Sequence, residues 1–165
     1  MRILIVDDSA EIRNLLVCGL KYLGQCDVAE NGLVAIDLFQ RACLENKPYG
    51  MVTMDCQMPV LDGMEAVSRI RAFETAQPGV RFRTTICFIT AEDHCRQNYE
   101  EQHGFDDALY SLGKPFSFAD LARVAQLALN RVRAAQPSVQ LMTSAELVLN
   151  PNTMRNYASS SLNYC

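Results

Sequence analysis

Residues that can bind a metal ion or a phosphoryl group follow four apolar runs in the sequence, immediately or after one residue. They are Asp7 with Asp8, Asp55, Thr90 and Lys114. Three carboxylates that lie close together repel one another unless a cation joins them or a proton is taken up. Their oxygens suit Mg²⁺, which prefers a few carboxylates together with waters and a substrate phosphate. The pattern therefore predicts chemistry on a phosphoryl group, assisted by magnesium.

Asp55 is the candidate nucleophile, because a carboxylate can attack a phosphoryl group and form an aspartyl phosphate. Asp7 and Asp8 are expected to hold the metal, and Thr90 and Lys114 to bind the phosphoryl group afterwards. Metal, hydroxyl and ammonium would neutralise charge on the transferring oxygens, which is most of what phosphoryl transfer requires. Each residue alone is ordinary for a helix cap or a turn. Their joint occurrence behind successive apolar runs favours the functional interpretation.

Alternating strand and helix patterns must position these side chains. The predicted strands are 3–6, 26–29, 51–54, 86–89 and 108–112. Of the five predicted helices, the first begins after Ser9 and the third follows Gly63. The second, fourth and fifth cover 33–45, 92–103 and 118–133. Parallel strands need crossover connections, so the pattern indicates an α/β fold with a doubly wound, five-stranded parallel sheet. Ligands of such sheets bind beyond the carboxyl ends of the strands.

The chain divides by composition into a domain at 1–133 and a C-terminal extension at 134–165. Of its 165 residues, 49% are hydrophobic and 21% charged, and the net charge is −4. The extension holds one acid and one base, so the whole net charge belongs to the domain. A capping box at 143–146 predicts a short helix, and an apolar hairpin over 139–149 is the alternative. The extension is shorter than the ~50 residues of a small domain, so we expect no output domain in it. A homodimer contact is one use for its apolar residues.

Several classes of protein are disfavoured by composition. The mildly acidic charge provides no footprint for direct binding of nucleic acid or an anionic membrane. No apolar run approaches the ~20 residues of a membrane span, and the N-terminus lacks a signal-peptide pattern. The seven cysteines include no Cys-x-x-Cys pair, which argues against a zinc site and a secreted disulfide framework. We expect a reduced cytoplasmic protein, with Cys56 as buried filler.

The chain from Arg2 to about Arg133 resembles the receiver domain of two-component response regulators. The segments that carry the resemblance are 3–9, 54–63, 89–91 and 113–116, and the most specific is Asp-x-x-Met-Pro-x-x-Asp-Gly. The resemblance implies a flavodoxin-like (βα)5 fold with a short C-terminal extension, close to stand-alone chemotaxis regulators. It also implies a phosphorylation switch in a phosphorelay.

The resemblance implies a role for each acidic residue. A sensor histidine kinase or a histidine phosphotransfer protein would donate its phosphoryl group to Asp55. Mg²⁺ would be held by Asp8, Asp55 and the backbone carbonyl of Gln57, and Asp7 would act mainly through a metal-bound water. The chain would then be a signalling phosphoacceptor rather than an enzyme, with at most self-phosphorylation and autodephosphorylation. Its output would pass to a downstream protein target.

The resemblance also implies that Thr90 moves towards the phosphoryl group and that Lys114 pairs with it. The change would spread to the surface around the fourth helix and the fifth strand. Receiver domains usually carry a Tyr or Phe three residues before the lysine, and here that residue is Ser111. Tyr110 stands one residue earlier and would point to the opposite sheet face in a regular strand. Either a bulge brings Tyr110 into place, or the aromatic part of the switch is absent.

The predicted fourth helix, 92–103, contains Cys95 and Tyr99 but almost no other apolar residue. Few buried contacts mean low local stability, so we expect this helix to be the most mobile.

Three other functions compete with the leading hypothesis. A metal-dependent aspartyl-phosphate phosphohydrolase would usually carry a second Asp two residues after the nucleophile, where Gln57 stands. A pseudo-receiver would use the same surface without being phosphorylated. An FMN binder of similar fold would need a phosphate loop free of the charges of Asp7 and Asp8.

Overall fold

The apolar runs form one parallel sheet in the computed structural model, which describes residues 1–77, 83–91 and 94–135. Its strands are β1 (Arg2–Val6), β2 (Gln25–Ala29), β3 (Tyr49–Met54), β4 (Thr85–Thr90) and β5 (Leu109–Gly113). The strand order is β2-β1-β3-β4-β5, and every neighbouring pair is parallel. All residues of β3 and β4 are buried, as in strands covered on both faces. The predicted doubly wound α/β fold is therefore confirmed.

Five helices cover the two faces of the sheet. They are α1 (Ala10–Leu20), α2 (Gly32–Leu44), α3 (Gly63–Ala76), α4 (Cys95–His103) and α5 (Phe118–Ala135). The side chains of Ser9, Asn31 and Asp62 accept N-cap hydrogen bonds at the starts of α1, α2 and α3. The last helix extends two residues beyond the predicted end at 133, because two alanines, which favour helix, follow there.

The core consists of two apolar layers, one on each face of the sheet. Strand residues alternate between them, so that Ile86 and Phe88 face one layer while Cys87 and Ile89 face the other. The first layer packs against α2, α3 and α4, and the second against α1 and α5. This packing holds the strands rigidly, so their carboxyl ends form a fixed platform for side chains.

A buried ionic cluster joins α3 to the loop that precedes β5. The Arg71 guanidinium, 6% exposed, donates to Asp106 at 2.7 Å, to Glu74 at 2.7 Å and to the Thr84 carbonyl at 2.8 Å. A buried charge is tolerated only when it is paired and hydrogen-bonded in this way. The cluster therefore fixes the edge of the sheet on which β5 lies.

The predicted extension, including its alternative helix and hairpin, lies outside the described residues from 136 onward. The same holds for the first residues of the predicted fourth helix, 92 and 93, and α4 begins at Cys95. Among the helices of the described ranges, none is long and apolar enough to cross a bilayer.

Candidate functional site

Three carboxylates meet at the carboxyl edge of the sheet. Asp7 follows β1 and Asp55 follows β3, and these strands are neighbours, so that the Asp55 amide donates to the Val6 carbonyl at 2.9 Å. Asp7, Asp8 and Asp55 each offer a carboxylate oxygen, and the three oxygens lie within 4.8 Å of one another. Asp7 is 1% exposed and Asp55 7% exposed, whereas Asp8 is exposed. The structure thus brings together the three acidic residues predicted to form the site.

Lys114 reaches into this acidic cluster from the end of β5. Its Nζ donates to Asp7 at 3.0 Å and to Asp55 at 3.1 Å. Its amide donates to the carbonyl of Thr90 at 2.7 Å, and the Lys114–Pro115 peptide is cis. Partial burial lowers the pKa of Lys114, but the hydrogen bonds to Asp7 and Asp55 outweigh it and raise the pKa overall. The lysine therefore stays a cation that bridges the two buried carboxylates.

The electrostatics of Asp55 favour a further cation in the site. Burial raises the pKa of its carboxyl group, and the negative charges of Asp7 and Asp8 raise it further. The hydrogen bond and charge of Lys114 lower the pKa, but the net direction is upward. A divalent cation on the open side, beside Asp8, would relieve this repulsion. The donors are all oxygen, which fits Mg²⁺.

Gln57 is exposed in the loop after β3. The role of its backbone carbonyl as a metal ligand stays a prediction, and so do the roles assigned to the other site residues.

Arg13 positions the two aspartates that follow β1, a contribution that the sequence patterns did not indicate. Its guanidinium donates to the backbone carbonyls of Asp7 at 2.6 Å and Asp8 at 3.0 Å. The Ser9 amide also donates to the Asp7 carboxylate at 2.9 Å. These contacts fix the β1–α1 loop. Arg13 lies one turn into an amphipathic helix, where an arginine is ordinary, so its spacing carried no signal.

Gly63 allows the loop after Asp55 to fold back on its own start. The Gly63 amide donates to the Cys56 carbonyl at 2.9 Å. A Cβ at this position would lie 2.0 Å from the Asp55 carbonyl oxygen, so a larger residue would displace the backbone of the nucleophile. Asp62 accepts from the Glu65 amide at 2.9 Å and starts α3. Asp62 and Gly63 therefore hold the loop against Asp55 as well as starting α3.

The pairing register of β5 decides whether a bulge brings Tyr110 into the aromatic position of the switch or whether that aromatic is absent. Thr90, 1% exposed, is the last residue of β4, where it pairs with Gly113, and the β4–β5 pairing runs without a bulge. Tyr110 packs in the layer under α1 and α5. Ser111 alternates with it and points to the other face, on the side of Thr90. The re-registering bulge is thus absent from this strand pair, and no aromatic of β5 stands beside Thr90.

An aromatic side chain of α4 packs on that face instead. Tyr99 is 3% exposed, and its ring centroid lies 6.2 Å from that of Phe88 and 4.4 Å from that of His103. Tyr99 and Cys95 are the two buried residues of α4, as the scarcity of apolar residues predicted.

Cys56 and Cys95 form a disulfide beside the site. Both residues are buried, at 4% and 6% exposure, so the expectation of burial for Cys56 is confirmed. The expectations that the cysteines are reduced and that Cys56 is only filler are wrong for this pair, because Cys56 is bonded to the first residue of α4. The two cysteines are 39 residues apart in sequence, and only the packing of α4 over β4 brings them together.

The fold and the site together define a class of protein: a doubly wound α/β domain with a lysine-bridged acidic cluster at the carboxyl edge of its sheet. Residues 3–126 match the family model described as the response regulator receiver domain. The chain belongs to this family, and the resemblance seen in its motifs is confirmed.

Individual relatives support the same assignment. The chain is similar to the transcriptional regulatory protein PrrA of Mycobacterium tuberculosis, with 32% identity over 149 residues, 88% of this chain and 58% of PrrA. The chain therefore spans little more than half the length of that relative.

Solved structures show the same fold. The receiver domain of the Pseudomonas aeruginosa sensor histidine kinase PA1611, solved with a magnesium ion in its active-site cleft, matches with a TM-score of 0.60 and 30% identity. This match covers 78% of this chain and 97% of that domain. The chemotaxis protein CheY4 of Vibrio cholerae matches with a TM-score of 0.62 and 26% identity, over 77% of this chain and 97% of CheY4.

Proposed function

We propose that the chain is a phosphoacceptor of a two-component phosphorelay, in which Asp55 receives a phosphoryl group from a histidine of a kinase or a phosphotransfer protein. The observation that carries the proposal is the Lys114 ammonium, 3.0 Å from Asp7 and 3.1 Å from Asp55, at the edge of an all-oxygen donor cluster. A buried carboxylate beside a cation and a metal-binding cluster is what a phosphorylatable aspartate needs.

In this proposal Asp55 attacks the phosphoryl group, which is supported by the hydrogen bond that anchors its carboxylate to Lys114 and by its position within the acidic cluster with Asp7 and Asp8. Asp7, Asp8, Asp55 and the carbonyl of Gln57 would hold Mg²⁺. When bound, the metal would neutralise charge on the phosphoryl oxygens.

Lys114 and Thr90 act on the product in this proposal. Lys114 can transfer one hydrogen bond from the Asp55 carboxylate to a phosphoryl oxygen while it keeps its contact with Asp7. Thr90 ends the neighbouring strand, where its hydroxyl can serve as a donor to a second phosphoryl oxygen. In this proposal the chain is a signalling component rather than an enzyme, since its own residues would only accept the phosphoryl group and slowly release it.

The proposed partners are a sensor histidine kinase or a histidine phosphotransfer protein upstream and a protein target downstream. We place this exchange in the cytoplasm, and we propose no direct contact with nucleic acid or membrane. A homodimer contact through residues 134–165 remains a proposal of its own. Gel filtration of the full chain against a chain ending at Arg133 tests it, and an unchanged oligomeric state would remove it.

The decisive experiment is incubation of the protein with Mg²⁺ and acetyl phosphate, followed by intact mass measurement. The wild type is expected to gain one alkali-labile phosphoryl group. Asp55→Asn is expected to gain none, whereas Asp37→Asn, which alters an exposed aspartate of α2, should react like the wild type. A folded wild type that stays unmodified under these conditions would indicate a pseudo-receiver and refute the proposal.

A further inference from the structure

The Cys56–Cys95 disulfide joins the loop that follows the proposed phosphoacceptor to the start of α4. Cys56 is the residue after Asp55, and Cys95 is the first residue of α4. Their Cα atoms are 6.7 Å apart, within the range that a disulfide spans. The Cys95 sulfur also lies 3.8 Å from the Thr90 hydroxyl oxygen. One covalent bond thus links the nucleophile's loop to the start of α4, and its Cys95 sulfur contacts the proposed phosphoryl-binding hydroxyl of Thr90.

Small molecules can reach this bond. Both cysteines line a cavity of about 490 Å³ between the β3–α3 loop and α4, together with Gln57, Asp62 and Asn98. A disulfide on the wall of such a cavity is open to oxidants and reductants, unlike Cys87, which is fully buried in the other layer.

Both oxidation states suit the surrounding fold. Cys56 and Cys95 belong to the apolar layer under α2, α3 and α4, where reduced cysteines pack as small apolar side chains. Breaking the bond therefore leaves the core filled. Its effect falls on α4, whose other buried residue among those described is Tyr99, so the disulfide is a major part of what holds this helix.

We propose that Cys56 and Cys95 are a redox modification site, at which a hydroperoxide-class oxidant closes the disulfide and thereby restrains α4 against the phosphoacceptor loop. In the thiol form, α4 is free to shift when Asp55 carries its phosphoryl group. In the disulfide form, the helix start is tied to the residue beside Asp55, so phosphorylation no longer changes the α4 surface. This inference rests on the proposed function for its consequence, although the redox site itself does not.

The chemistry balances with the oxidant named. One cysteine sulfur attacks a peroxide oxygen, the O–O bond breaks, and a sulfenic acid forms while water or an alcohol leaves. The other sulfur then attacks the sulfenic sulfur, the S–O bond breaks, and a second water leaves. Two thiols and one hydrogen peroxide thus give one disulfide and two waters, with two electrons passing from sulfur to oxygen. A dithiol reductant reverses the state by exchange.

The test uses the full chain, reduced and then titrated with hydrogen peroxide. Non-reducing peptide mapping is expected to show a peptide cross-linked between Cys56 and Cys95 in the oxidised sample. Hydrogen exchange of the α4 amides is expected to be at least about tenfold slower in the disulfide form, because a cross-link restricts local opening. With Mg²⁺ and beryllofluoride, the thiol form should change its α4 exchange, whereas the disulfide form should not.

Variants separate this pair from other thiols. Cys95→Ser and Cys56→Ser, each compared with itself before and after peroxide, are expected to lose the redox dependence of α4. Cys18→Ser is the matched control, since it removes an exposed thiol of α1 and should keep the full redox response. A missing cross-linked peptide, or a cross-link that leaves α4 exchange unchanged, would overturn the proposal.

The redox proposal and the proposed function fail separately. If acetyl phosphate does not modify Asp55 but oxidation still slows α4 exchange, the phosphoacceptor function fails and the redox site stands. If Asp55 is phosphorylated and peroxide has no effect on α4, the redox site fails and the phosphoacceptor function stands.

Discussion

Removing the charge of Asp55 should stabilise the metal-free protein. The carboxylate oxygens of Asp7 and Asp55 lie within 4.8 Å of each other, which at an effective dielectric constant of about 20 is a repulsion of about 3.5 kcal/mol. Asp8 adds a smaller repulsion, because it is exposed and screened by water. The contact with Lys114 at 3.1 Å contributes an attraction of about 5 kcal/mol on the same scale.

The attraction to Lys114 offsets the repulsion from Asp7 and Asp8, so the charge pairs alone do not favour the variant Asp55→Asn. Burial of the charged carboxylate is the largest contribution, and its relief leaves a small balance in favour of the variant. We therefore expect the free energy of unfolding to rise by about 1–2 kcal/mol in EDTA, or about 2–8 °C in Tm for a chain of this size. Asp37→Asn should shift Tm by less than about 1 °C, because its ion pair is exposed.

Magnesium should make the wild type more stable than Asp55→Asn, the reverse of their order in EDTA. A ligand that binds only the folded state stabilises it by about 2.7 kcal/mol at a hundred times its Kd. The wild type is expected to gain this stabilisation as MgCl2 is added, whereas Asp55→Asn, which lacks one carboxylate ligand, should gain much less. Thermal unfolding followed by circular dichroism, in EDTA and over a MgCl2 series, measures both effects.

The same reasoning fixes the dependence on pH. The pKa of Asp55 is raised in the folded protein, so the folded chain keeps a proton that the unfolded chain has lost. Stability therefore falls as pH rises from about 4, the pKa of an unperturbed aspartate, through the raised folded pKa, and stays reduced above it. The advantage of Asp55→Asn should be complete at neutral pH and shrink towards pH 4. A Tm in EDTA that is lower for the variant than for the wild type would refute the electrostatic argument.

Three further predictions concern the scaffold. Arg71→Met should lower the free energy of unfolding by about 3–5 kcal/mol in urea denaturation, because it leaves buried Glu74 without its cation and buried Asp106 with the exposed Arg83 alone; a loss below 1 kcal/mol would contradict this. Gly63→Ala should keep the fold but slow phosphorylation by acetyl phosphate about 10–100-fold, since its Cβ displaces the Asp55 carbonyl; an unchanged rate would count against the close contact. Tyr110→Phe should change stability by less than about 0.5 kcal/mol and leave phosphorylation unchanged, and a large effect on phosphorylation would show that this ring reaches the site.

The sequence alone was sufficient for the α/β class and for the acidic cluster. Apolar runs that alternate with amphipathic segments indicate parallel strands, and the carboxyl ends of parallel strands lie at one edge of the sheet. Residues that follow separate runs, such as Asp7, Asp55 and Lys114, are thereby brought together without any knowledge of distances. The helix start at Ser9 was equally local, because an N-cap depends on residues within one turn.

Only the tertiary structure decided the features that depend on register or on packing between elements. Tyr110 and Ser111 exchange faces with a shift of one residue, so the face of each could not be assigned until β5 was paired with β4. Arg13 donates to backbone carbonyls, which every residue has, so no pattern of residue types could predict these contacts. The Cys56–Cys95 bond joins residues with no shared motif, because α4 must first pack over β4 before the two sulfurs meet. Helix caps and the residues that follow each strand are determined by the local sequence. Contacts between distant residues depend instead on how the helices pack over the sheet.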